Sequence, residues 1–156
     1  MRDSIQIDEI DRRLLRALQE DASLSHTALA ERVGASPASC WRRVRALEQA
    51  GVLTRTVRLV DAARVGRGVS VMLQLRMNAH SPEVRRDFEA FVRARPEVME
   101  CYSMSGEWDY LMRIVVADVA DYERFLMREV LRHPNVAGAA SHFALSQVKY
   151  ETAIPV

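Results

Sequence analysis

Lysine is almost missing from this chain: Lys149 is the single one among 22 basic residues, and the rest are arginine. Arginine richness is therefore partly a compositional habit, and a bare arginine count does not signal a phosphate-binding surface. Cysteine is scarce too. Cys40 and Cys101 stand far apart and neither belongs to a C-x-x-C pair, which excludes a disulfide framework and a thiolate zinc site. The four histidines, His26, His80, His133 and His142, lack metal-ligand spacing. No apolar run approaches the ~18 residues that a membrane span needs. The opening stretch MRDSIQIDEIDRR is acidic and has no apolar signal-peptide core. The expectation is a cytoplasmic protein with no metal, no cofactor and no membrane partner.

What is present is an ordinary globular composition, 49% hydrophobic and 28% charged over 156 residues, enough for one sizeable domain or two small ones. Net charge is only +1, but it is unevenly spread. Residues 36–58 hold five arginines against the single carboxylate of Glu48. That basic excess falls on SPASCWRRVRALEQAG. Ser36 suits a helix N-cap, Pro37 the first helical position, and Gly51 a left-handed residue after the helix end. At 100° per residue Cys40, Val44 and Leu47 share one side with Trp41 at its edge. Ala38, Ser39, Arg42, Arg45, Ala46 and Gln49 point the other way. Such a face is often merely solvated, so what precedes it decides.

Upstream, Ile10, Leu14, Leu15 and Leu18 mark an amphipathic helix that Asp8 can cap, and HTALAERVG a shorter one ending at Gly34. Three helices, the last two joined by the tight turn VGASP, form the helix-turn-helix pattern. In it the second helix of the pair enters the DNA major groove by its N-terminal end. Ser36, Pro37, Ala38 and Ser39 are small enough for close approach, with Arg42, Arg43 and Arg45 to reach bases or phosphates. VLTRTVRLVD then reads as a strand carrying Arg55 and Arg58 near the same basic surface. Residues 1–60 form the DNA-binding domain and 61–68 a linker.

Residues 69–156 contain an internal echo. DFEAFV at Asp87 and DYERFL at Asp121 repeat the same chemical types, and each precedes a Pro-containing turn, RPEV and HPNV. The second spacing is longer by four residues, about one helical turn. Strand-like runs flank both helices: VSVMLQLRM, VMECYSM, YLMRIVV and AASHFALSQV. The order β-α-β-β-α-β is a ferredoxin-like split unit, so the fold class is α+β. Arg76, Glu100 and Arg113 lie within strands, so the sheet face away from the helices is either solvated or buried in a polar-studded homodimer interface.

Between the two central strands lies SMSGEWDYLM. Gly106 and Asp109 fit a plain hairpin turn. The same turn also offers the parts that grip an α-amino acid: backbone N–H groups around Ser105, Gly106 and Glu107 for a carboxylate, Asp109 for an ammonium, and Trp108 as an apolar wall.

These stretches together resemble the Lrp/AsnC, or feast/famine, regulators. IDEIDRRLLRALQEDASLS is similar to the family's opening helix, LAERVGASPASCWRRVRALEQAGVL to its helix-turn-helix, and HPNVAGAASHFALSQVKYETAIPV to its closing strand and tail. GEWDYLMRI resembles its Gly-x-x-Asp effector loop, with Gly106 and Asp109 in the matching positions and Trp108 where tyrosine or phenylalanine is commoner. The resemblance implies a transcription factor that binds double-stranded DNA, dimerises through its C-terminal domain, assembles into octamers and senses a small amino acid. CWRR with GEWDYLMRI looks most like a branch associated with cysteine and sulfur-amino-acid metabolism. Two readings stay open beside it: a ligand-independent architectural protein that compacts DNA, and a small ferredoxin-like enzyme. The enzyme would need a convergent acid, base or nucleophile pair. Glu107 and Asp109 share one turn, without a cofactor motif nearby.

Overall fold

The computed structural model describes residues 6–156; positions 1–5, part of the segment assigned to the DNA-binding domain, lie outside the described residues. Helix α1 (Glu9–Glu20) begins at Asp8, whose carboxylate accepts the Asp11 amide while the Asp11 carboxylate accepts the Asp8 amide. Two orphan N–H groups are satisfied by this reciprocal exchange. Ser25 caps α2 (His26–Val33) and Ser36 caps α3 (Pro37–Gln49), with Pro37 in its first turn. After α3 the chain reverses at Gly51, where φ is +72°, a conformation that disfavours any side chain. Leu14, Ala17, Leu29, Ala30, Val33 and Cys40 form the core of this helical unit.

The second unit is a four-stranded antiparallel sheet of β1 (Val69–Met77), β2 (Val98–Ser103), β3 (Tyr110–Val116) and β4 (Val136–Phe143), in the order β2-β3-β1-β4. Helix α4 (Pro82–Arg93) joins β1 to β2, and α5 (Val119–Phe125) joins β3 to β4, giving the β-α-β-β-α-β order. Every second residue of the central strands is buried: Val71, Leu73, Leu75 and Met77 of β1, with Tyr110, Met112, Ile114 and Val116 of β3. Phe88 and Val92 of α4, and Tyr122 and Phe125 of α5, complete the same core. In the second repeat a π turn, Leu126–Val130, continues α5.

The opposite sheet face carries Met72, Leu111 and Val115 beside a polar pair. Arg113 Nε donates to Glu100 at 2.6 Å, and the Tyr102 hydroxyl donates to the same carboxylate at 2.9 Å. The guanidinium, helped by Tyr102, holds the Glu100 carboxyl below its ordinary range.

Two sequence expectations need correction. VLTRTVRLVD contains no strand: it pairs with no other strand among the described residues, and Val57, Leu59 and Val60 stand exposed. A strand requires a partner, whatever its propensity. The last strand ends at Phe143 rather than running on through 148: its pairing with β1 closes at Val71 and at the Ala144 N–H bond to Ser70, next to the start of β1 at Val69.

The described chain divides into two compact units: residues up to Arg58 together with Val148–Val156, and Leu59–Gln147. The final nine residues thus group with the helical unit. The Gln19 side-chain amide pairs with both the N–H (2.6 Å) and the carbonyl (3.0 Å) of Ile154, and Arg16 Nε donates to the Val156 oxygen at 2.8 Å.

Candidate functional sites

The first site is the outer face of α3. Ser36 is spent on its cap, accepting the Ser39 amide at 3.2 Å. Pro37 and Ala38 are exposed beside it, and Ser39 is half-buried. Next along that face come Trp41, Arg42 and Arg45. The Arg45 guanidinium lies 5.9 Å from the centre of the exposed Trp41 ring and reaches Glu48 at 3.3 Å. Arg42 is exposed and makes no ion pair among the described residues, and the same holds for Arg55 and Arg58. Arg43 is different. Its Nη1 sits 2.8 Å from both Asp8 and Asp11, and Asp11 is almost fully buried. The Asp11 amide, and after it Arg43, hold the Asp8 carboxyl below its usual range. Arg43 fastens α3 to the start of α1, while Arg42 projects outward.

The second site is the β2–β3 hairpin. Met104 N–H donates to the Asp109 carbonyl at 2.9 Å, closing the turn. Gly106 takes φ +118°, which an L side chain rarely adopts, so a glycine is needed there. Ser105, Gly106 and Glu107 are exposed, and the N–H groups of Ser105–Trp108 make no hydrogen bond among the described residues. Glu107 pairs with Arg76 at 2.6 Å, and the Arg76 guanidinium covers the Trp108 ring at 5.0 Å. Asp109 extends the sheet ladder: its N–H donates to Leu75 O at 2.8 Å, and its Oδ2 accepts from Met77 N–H at 2.7 Å. Its other oxygen, Oδ1, faces His80 Nδ1 at 3.5 Å. Glu107 and Asp109 are thus each engaged by a different partner, which is not the arrangement of an acid–base pair.

Beside Asp109 opens a cleft of about 90 Å³ lined by Met77, Ala79, His80, Val84, Arg85, Ser103, Met104, Asp109 and Tyr110. Residues 105–108 are not part of its wall. Sequence reasoning missed His80, Arg85 and Met104, because only the β1–β3 register brings residues 77–85 against the hairpin. A larger open depression of about 520 Å³ lies at the other end of α4, where Arg95 pairs with Glu129 at 2.7 Å and Arg124 with Asp121 at 2.8 Å. Most of its charges answer one another.

A helix-turn-helix with an exposed basic face, followed by a split βαβ unit with a small polar cleft, defines a DNA-binding regulator with a separate ligand-binding unit. Comparison with known proteins agrees: residues 7–54 match the winged helix-turn-helix DNA-binding family and residues 70–154 the Lrp/AsnC ligand binding domain. The chain belongs to the Lrp/AsnC family of transcriptional regulators. It is 40% identical over 150 residues to the DNA-binding transcriptional activator DecR of Escherichia coli, covering 96% of this chain and 99% of that protein. A Neisseria meningitidis transcriptional regulator solved as an L-Met complex superposes with a TM-score of 0.91 at 33% identity, covering 96% and 97% of the two chains. An AsnC-family regulator from Agrobacterium tumefaciens gives 0.90 at 42% identity, covering 95% and 96%.

Proposed function

We propose that this protein is a sequence-specific transcriptional regulator that reads DNA with α3 and changes its assembly when a small amino acid binds beside the β2–β3 hairpin. The observation that carries the reading is the contrast on α3: Arg43 is consumed by Asp8 and Asp11, whereas Arg42 projects unpaired beside Ala38 and Trp41. Ala38, Trp41, Arg42 and Arg45 of that face are exposed. Ser36, Pro37, Ala38 and Ser39 let the helix approach the groove floor, Arg42 and Arg45 supply donors, and Arg43 keeps the helix in place.

At the hairpin, Asp109 takes the ammonium of the amino acid through Oδ1, since Oδ2 is held by Met77. Sulfur-containing amino acids are the first to test. The resemblance of CWRR and GEWDYLMRI supports them, as does the L-Met bound to the similar Neisseria regulator. Two copies pair through the open sheet face, and dimers assemble further, to octamers. The half-buried Met72, Leu111 and Val115 beside the Arg113–Glu100 pair give that face the mixed character of an interface. An amino acid regulates only by binding one assembly state better than another.

Asp109→Asn keeps an acceptor for Met77 and removes the charge. Amino-acid binding by calorimetry should fall more than tenfold, the loss expected for a charge-assisted hydrogen bond of ~1.5–3 kcal/mol. DNA affinity without amino acid should persist, while the amino-acid-driven changes in sedimentation and DNA affinity vanish together. A variant that binds and responds like the parent would reduce Gly106 and Asp109 to a hairpin turn.

A further inference from the structure

We propose that Arg85, one turn into α4, holds the carboxylate of the bound amino acid, so that the cleft selects a free α-amino acid carrying both charges. The inference rests on the amino-acid reading above and alters one part of it. The N–H groups of Ser105, Gly106 and Glu107 are the carboxylate partners suggested by the sequence, but these residues line no part of the cleft that Asp109 faces. Arg85 does line it, and Arg85 makes no ion pair among the described residues, unlike most arginines of the sheet unit. An arginine without an ion-pair partner among the described residues and a carboxylate whose Oδ1 faces His80 therefore share one small cleft.

Tyr110 lines the same cleft as Arg85 and Asp109. Burial first, then Glu89, raises its hydroxyl, while Arg85 pulls it down and Asp109 pushes it up. The cleft, at about 90 Å³, is large enough for several waters, since one needs roughly 10–15 Å³ of such space. That volume suits the amino and carboxyl groups around one Cα. The apolar wall is Met77, Val84 and Met104, and thioethers adapt to varied apolar shapes. Trp108, in contrast, is occupied by Arg76. The side chain selected is accordingly apolar or sulfur-containing. A ligand held by Asp109 on the hairpin and by Arg85 on α4 bridges these two elements.

The test uses the full chain. Calorimetric titration with each of the twenty L-amino acids identifies the strongest binder. That amino acid and its carboxamide are then titrated into the wild type, Arg85→Gln and Arg85→Lys. The wild type should prefer the free acid more than tenfold, Arg85→Gln should bind both forms alike, and Arg85→Lys should recover part of the preference. Arg85 is exposed, so the melting temperature should not move. If Arg85→Gln keeps the full preference, the carboxylate is held elsewhere and this inference fails, while the amino-acid reading stands. If no amino acid binds the wild type, the amino-acid reading itself fails and takes the inference with it.

Discussion

Arg42 and Arg43 are neighbours in sequence with opposite duties, and each duty has its own measurable signature. Arg43→Ala strips the charge partner from the nearly buried Asp11 and from the α1 cap, and should cost roughly 1.5–3 kcal/mol in urea denaturation. Arg42→Ala should leave stability within about 0.5 kcal/mol but weaken DNA binding. If Arg42 meets a guanine edge, fluorescence anisotropy should show ~1–3 kcal/mol lost at one base pair. If it meets phosphate, affinity should drop on every sequence and the salt slope should shrink. Unchanged DNA affinity in a folded Arg42→Ala protein would remove it from the interface. The Asp8 carboxyl adds a pH dependence. Its folded-state value is depressed, so its stabilising contribution is present above the ordinary carboxylate range and is lost as pH falls through the depressed value. Acid titration of the melting temperature should show that loss, and Arg43→Ala should reduce it. The arginine cluster was legible in the sequence, but the division of labour was not. Arg43 finds its carboxylates more than thirty positions away, and only the packing of α3 on α1 reveals them.

Elements with strong local signals were the ones that could be read in advance. Ser36, Pro37 and Gly51 bracket α3, Asp8 caps α1, and the alternation of VSVMLQLRM and YLMRIVV places β1 and β3 to within a residue. What failed was what depends on a neighbour. Residues 52–61 have the composition of a strand and no partner strand among the described residues, and β4 ends near the start of β1. The cleft failed for the same reason: the glycine and aspartate of the hairpin announce themselves, whereas Arg85 looks like any helix-surface arginine. The open sheet face gives an element-scale prediction. Leu111→Glu and Val115→Glu place charges where the dimer is proposed to close and touch no residue of the helix-side core. Sedimentation should show weaker self-association while circular dichroism stays native. A variant that assembles like the parent would move the interface elsewhere.

At the scale of the whole molecule, a two-fold dimer presents two copies of α3, so its operator should be an imperfect palindrome. Half-site centres should lie about 10–10.5 base pairs apart, or a multiple of that. A footprint confined to one asymmetric half-site at full affinity would contradict the dimer. The return of residues 148–156 to α1 makes the chain an insertion in topological terms, with the sheet unit spliced into the helical unit by two covalent leads. Deleting residues 148–156 should therefore lower the melting of the helical unit, at about 0.5–1.5 kcal/mol for each hydrogen bond lost from Gln19 and Arg16. The sheet unit should melt unchanged. One lead leaves the helical unit just behind α3, and the other is fastened along α1. Any rearrangement of the sheet unit on binding an amino acid then has two handles on the DNA-reading helices rather than one, and a cut in either lead leaves it pulling by the other alone.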